Sequence, residues 1–174
     1  YVSGGFMRKN ISLEVISSYP KLLQSFNKQT LNGESSLYLY QNEVYKILNV
    51  ALREQRENLI IESLKHKLNG VVTINDLLYD DGCFVGYTMP LLNDLTIKEL
   101  FGKLLLKEKC EIIFMMSRIF LDLYYEGFVY MDFHCSNIMV QKRGLLFLDR
   151  DGMILKSDLN EGNMYWIINF FWSI

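Results

Sequence analysis

Two tight-turn signals, Gln41-Asn42 and Asp80-Asp81-Gly82, stand on either side of a stretch with helical periodicity, and this order restricts the first half of the chain more than any other feature. The segment "LNGESSLYLYQNEVYKIL" alternates apolar and polar residues and carries a further turn signal at Asn32-Gly33, which predicts two or three antiparallel strands. "NVALREQRENLIIESLKHKLNG" then changes to the helical period, with Val50, Ile61, Leu64 and Leu68 on one face and Gly70 as a stop signal. Glu54 and Glu57 share that face. "VVTINDLLYDDGCFVGYTMPLL" returns to strand composition around the Asp-Asp-Gly turn, and Pro90 ends its second run. Hairpin, helix and hairpin in succession predict an antiparallel sheet accompanied by a single helix.

The second half has a different character. Thr96 with Glu99 predicts a capping box for a helix through about Leu106, and "CEIIFMMSRIFLDLYYEG" reads as a longer helix closed by Gly127. Apolar runs at Ile138 to Val140 and Leu145 to Leu148, separated by "QKRG", predict a hairpin. Residues 5 to 28, which include Pro20, read as an irregular or weakly helical lead-in. The expected fold class is therefore α+β, with a lead-in over 1–28, a sheet-and-helix region over 29–92 and a mainly helical region over 93–174. With 174 residues, half of them apolar, the chain can bury a core. A formal charge of −2 argues against nucleic acid as partner. Three scattered cysteines with no C-x-x-C pair argue against a disulfide framework or structural zinc and fit a reducing cytoplasm. Charged residues interrupt the most apolar segment and no secretory signal is visible, so no membrane-spanning helix is expected.

Some polar residues stand out against this apolar background. Asp132 and Asn137 in "YMDFHCSNIMV" and Asp149 in "FLDRDG" flank strand-like runs, which could gather three oxygen-bearing side chains at one point. Such a donor set suits Mg²⁺; the competing reading makes Asp132 and Asn137 turn caps. Lys46 lies in "EVYKIL" among strand residues. An inward lysine needs an anionic partner, which Glu54 or Glu57 could supply, while an outward lysine needs none. His134 and Cys135 lack the additional base or ligands that a thiol nucleophile or a zinc site requires. His66, in a lysine-rich helical segment, is expected to face solvent.

Taken together, these residues resemble the protein kinase-like superfamily, and among its members the small atypical bacterial proteins with a "GYTMP" hinge. Lys46 stands in the strand-lysine position, Asp132 and Asn137 keep the D-x-x-x-x-N spacing, and "LDRD" occupies the place of D-F-G. The resemblance spans roughly residues 31 to 153. It implies a two-lobed fold with a truncated C-terminal lobe, and ATP with Mg²⁺, or Mn²⁺, as cofactors. Lys46 would hold the α- and β-phosphates and Glu57, with Glu54 as alternate, would orient it. Asp132 would accept or orient the acceptor hydroxyl's proton, and Asn137 and Asp149 would bind the metal. Gly33 and Ser35 would lie in the phosphate lid. Met89 would guard the pocket, and the Pro90 carbonyl and Leu92 amide would meet the nucleotide base. The implied activity is transfer of the γ-phosphoryl group to a hydroxyl, on a protein Ser/Thr or a small molecule. The alternatives are a pseudokinase-like binding module and nucleotidyl transfer. Met131 replaces the arginine of H-R-D, and Arg150 and Asp151 replace Phe and Gly of D-F-G, with Asp151 either a second metal ligand or a turn residue. His134, where protein kinases usually carry lysine, points toward a non-protein substrate or an atypical kinase. The tail "NMYWIINFFWSI" either packs on the second lobe or offers a partner surface.

Overall fold

A computed structural model describes residues 7–22, 34–142 and 144–163. Its order is α+β: Met7–Asn10 (β1), Leu13–Ser17 (α1), Ser35–Tyr40 (β2), Glu43–Leu48 (β3), Arg53–Leu64 (α2), Asp76–Asp80 (β4), Cys83–Pro90 (β5), Ile97–Leu100 (α3), Leu106–Tyr125 (α4), Phe128–Tyr130 (β6), Ile138–Gln141 (β7), Gly144–Phe147 (β8) and Met153–Leu155 (β9). The chain divides into two compact units, residues 1–58 with 73–92 and residues 59–72 with 93–174.

The first unit is built on a five-stranded sheet of order β1-β4-β5-β3-β2. Both anticipated hairpins are present. Gln41 and Asn42 have φ of 48° and 63°, and Asp81 and Gly82 have φ of 46° and 80°. Positive φ at both central residues gives a turn whose twist matches that of the flanking strands, which is why Asn and Gly stand there. The sheet is mixed rather than antiparallel, because β1 from the lead-in runs parallel to β4. The lead-in is therefore a structural part of the sheet. Its short helix α1 is capped by the Ser12 hydroxyl, which accepts from the Glu14 amide at 3.1 Å. Ile16 of α1 is fully buried against Tyr45, Leu78 and Val85, closing one face of the sheet. At Gly86 the strands β3 and β5 come so close that a β-carbon would lie 2.0 Å from the Lys46 carbonyl oxygen.

Helix α2 departs from the expected register. Val50 is 73% exposed, whereas Ile60 and Ser63 are the buried residues. The inward stripe is thus displaced from Ile61 and Leu64, and the helix ends at Leu64, not at Gly70. Gly70 instead has φ of +76° and a β-carbon there would meet the Ile119 side chain at 2.7 Å, so it serves close packing against α4.

The second unit packs α4 against two small sheets, β6 with β9 and β7 with β8. Its core comprises Ile112, Met116 and Leu123 of α4 together with Val71, Phe128, Tyr130, Ile138, Phe147 and Met153. The predicted capping box is formed: the Glu99 carboxylate accepts from the Thr96 amide at 2.8 Å and from its hydroxyl at 2.7 Å. The helix it starts is shorter than anticipated, ending at Leu100 in a tighter turn over Phe101–Lys103; α4 begins anew at Leu106. Gly127, with φ of +91°, closes α4 as its position suggested. Among the described residues no helix is long and apolar enough to cross a membrane.

Candidate functional site

In the second unit, "YMDFHCSN" is the connection between β6 and β7. Apolar side chains alternate with polar ones here, and the apolar ones fix the loop. Phe133 packs into the core, with ring centroids 5.4 Å from Tyr130, 5.7 Å from Phe120 and 6.3 Å from Phe147. Its burial leaves Asp132 and His134 on the outside. A short helical turn over Cys135–Asn137 then returns the chain to β7, where the Leu148 amide donates to the Asn137 carbonyl at 2.8 Å.

This geometry gathers the three oxygen-bearing residues. Asn137 Nδ2 donates to Asp132 Oδ2 at 2.6 Å. Asp149 follows β8 and opens the turn Arg150–Gly152, from which β9 returns to pair with β6. The Met131 amide donates to the Gly152 carbonyl at 3.0 Å, so Gly152 lies directly beside the start of the loop. A β-carbon built on Gly152 would stand 2.8 Å from Asp132 Cβ and 3.6 Å from Asp149 Cβ. Both carboxylate-bearing residues therefore flank one glycine. Two carboxylates and an amide oxygen are hard donors of the kind that Mg²⁺ or Mn²⁺ takes, so the residues fit such an ion.

His134 and Cys135 do not form a nucleophilic pair. His134 Nδ1 accepts from the Ser136 amide at 3.2 Å, so the imidazole serves its own loop. Burial pushes the Cys135 thiol up, which disfavours the thiolate. His66 is half-buried, hydrogen-bonded to Glu126 at 3.0 Å and edge-on to Phe128, in contrast to the expected solvent-facing position.

Arg150 and Asp151, each only 4% exposed, occupy the turn after Asp149. The Arg150 guanidinium donates from Nε to Ser63 Oγ at 2.8 Å, from a terminal nitrogen to the Ser63 carbonyl, and from the other to the Val72 carbonyl at 3.4 Å.

In the first unit, Lys46 is 4% exposed, and its ammonium lies 5.8 Å from the Tyr87 ring centroid. Strand register puts Lys46 beside Tyr87 and Tyr87 beside Leu77, and Tyr79 follows two residues later on the same face. Glu57 of α2 reaches that face, where the Tyr79 hydroxyl donates to its carboxylate at 2.7 Å. Glu54 is exposed. Burial, followed by the Glu57 hydrogen bond and charge, pushes Tyr79 up to about 12. Tyr79 was not legible as a partner of Glu57, because nothing local in "DLLYDD" marks it.

Met89 is 9% exposed and pairs with Val44. Beyond it the Leu91 amide donates to the Asn42 carbonyl at 3.0 Å. Alternation of bonding positions in an antiparallel pair then turns the Pro90 nitrogen and carbonyl away from β3, so proline costs this ladder no hydrogen bond. Leu92 follows, partly buried. Ser35 opens β2 opposite Leu48. Gly33 lies outside the described residues, as does the aromatic tail from residue 164 onward.

No protein-family model matches the chain, and no curated protein matches it. Solved structures do. A co-crystal structure of WbdD with the kinase inhibitor LY294002 is similar, with a TM-score of 0.57 and 17% sequence identity. The match covers 82% of this chain and 37% of the WbdD chain, so the chain spans well under half the length of that neighbour. At that identity the likeness speaks for fold, and what it supports is that this α+β chain has a kinase-like fold.

Proposed function

We propose that the chain is an atypical kinase-like phosphotransferase that moves the γ-phosphoryl group of ATP to a hydroxyl acceptor, with protein Ser/Thr as the leading acceptor class and a small molecule as the other. The observation that carries this reading is the convergence of Asp132, Asn137 and Asp149 around Gly152. A divalent cation held there would neutralise charge that develops on the phosphates during transfer. Asn137 and Asp149 supply its ligands. The exposed Asp132 carboxylate, held by Asn137, orients the acceptor hydroxyl and takes its proton. Lys46 contacts the α- and β-phosphates, and Ser35, with Gly33, belongs to the phosphate lid. Met89, the Pro90 carbonyl and the Leu92 amide receive the base. The two-lobed arrangement with a truncated C-terminal lobe belongs to the same proposal.

A second reading is favoured by one contact. Glu57 is engaged by Tyr79, a neutral donor. That fits a binding module in which the helix carboxylate has a structural duty. Incubation with ATP labelled separately at the γ- and α-phosphates, with Mg²⁺ or Mn²⁺, separates the readings. The enzyme reading expects γ-label transfer that Asp132→Ala reduces by two or more orders of magnitude and Asp149→Asn abolishes, on the scale by which lost positioning and electrostatics slow such reactions. Metal-dependent nucleotide binding without transfer selects the module, α-label transfer selects nucleotidyl transfer, and absence of both binding and transfer rejects all three.

A further inference from the structure

We propose that Arg150 is a positioning residue that ties the place of Asp149 to the C-terminal end of α2. This rests on the metal-binding role proposed for Asp149 and goes beyond it by assigning what holds that residue. In the resemblance, position 150 belongs to an apolar phenylalanine. Here it is a guanidinium that is 4% exposed yet anchored to the chain at 63 and 72. Ser63 is fully buried one residue before α2 ends, and its carbonyl, among the last of the helix, accepts at long range from the His66 amide at 3.3 Å just beyond it. Arg150 donates to that carbonyl and to the Ser63 hydroxyl together, while the hydroxyl donates its own hydrogen bond to the Ile60 carbonyl at 2.8 Å. The Val72 carbonyl is the further acceptor. Residues 70 to 72 are in turn stapled to β8, since the Phe147 amide donates to the Gly70 carbonyl at 2.8 Å and the Val72 amide to the Phe147 carbonyl at 2.8 Å. Asp149 lies two residues beyond Phe147.

An apolar side chain can leave such a place and return without leaving polar groups unmet. Arg150 cannot. Its withdrawal would part the guanidinium from its acceptors, take the donor from the Val72 carbonyl and leave the Ser63 carbonyl only the 3.3 Å bond from the His66 amide, so this turn and the end of α2 open together or stay closed together.

The test is amide hydrogen exchange on the full chain, comparing the parent with Arg150→Met, Arg150→Lys and Ser63→Ala. Peptides over 60–66 and 147–153 are expected to lose protection in parallel, by about tenfold or more in Arg150→Met and less in Arg150→Lys, with β7 unchanged; loss of one donor–acceptor pair supports this scale. Ser63→Ala gives the same paired pattern if Arg150→Met does not fold. Loss in only one segment, or equal loss across the whole second unit, overturns the latch. Mn²⁺ titration in the presence of ADP provides the functional arm. Weaker Mn²⁺ binding in Arg150→Met, partly rescued by Arg150→Lys and with metal-free ADP affinity unchanged, is expected. Unchanged Mn²⁺ affinity overturns the positioning role. If the parent itself binds no Mn²⁺, the phosphotransfer reading and the positioning role fall together, while the exchange result still decides whether the latch exists.

Discussion

Gly152 leaves no space for a side chain beside Asp132. The Asp132 β-carbon is fixed to a backbone that is itself bonded to the loop, through the His134 amide donating to the Asp132 carbonyl at 2.8 Å, so it cannot swing aside like the end of a long side chain. Gly152→Ala is therefore expected to cost about 1–3 kcal/mol through overpacking. By displacing Asp132 from Asp149 it should also lower the proposed phosphoryl transfer on the order of 100-fold. Urea unfolding and single-turnover transfer check the two effects separately. Tyr79 offers a second test. Its raised pKa means that the folded chain favours the neutral phenol, so the contribution is complete below the unfolded value near 10 and is lost as pH rises through about 12. Tyr79→Phe should cost about 1 kcal/mol below that window, and the difference from the parent should shrink across it. Urea midpoints measured along a pH series through that window decide the matter.

At the scale of elements, the turns were the most legible part of the sequence. Asn42, Gly82 and Gly127 mark positions where backbone sterics favour few residues, and each lies in or next to the break it announced. The register of α2 was not legible. Its apolar residues do not form one clean stripe, and of its two buried positions Ser63 is set by a tertiary partner, the Arg150 guanidinium. Likewise, nothing in residues 7 to 10 announces a parallel edge strand, because that pairing depends on β4, far away in sequence. At the site, Asp132, Asn137 and Asp149 could be picked out because polar residues interrupted apolar runs. Ser63 and Tyr79 could not, since their roles exist only across tertiary contacts. Gly86 is the element-scale test. Replacing it with alanine drives a methyl group into the Lys46 carbonyl, which is backbone and cannot yield without separating β3 from β5. Gly86→Ala is expected to destabilise the sheet by at least about 1–3 kcal/mol, read as a lowered thermal midpoint and loss of exchange protection along β3.

The whole molecule joins a mixed-sheet unit to a mainly helical one, and its kinase-like fold covers well under half of the WbdD chain to which it is similar. Some of its apolar surface is open: on α4, Leu106, Phe114, Leu121 and Tyr125 are each more than half exposed. The more vulnerable surface is one that the fold has closed. β4 reads Asp-Leu-Leu-Tyr-Asp, and β1 occupies its outer hydrogen-bonding edge. Removing residues 1 to 11 would uncover a short apolar strand able to recruit another chain, the arrangement from which strand-to-strand stacking begins. Such a shortened chain should scatter light and bind thioflavin more strongly than the parent at equal concentration. The parallel strand β1 thus doubles as a guard against self-templated assembly.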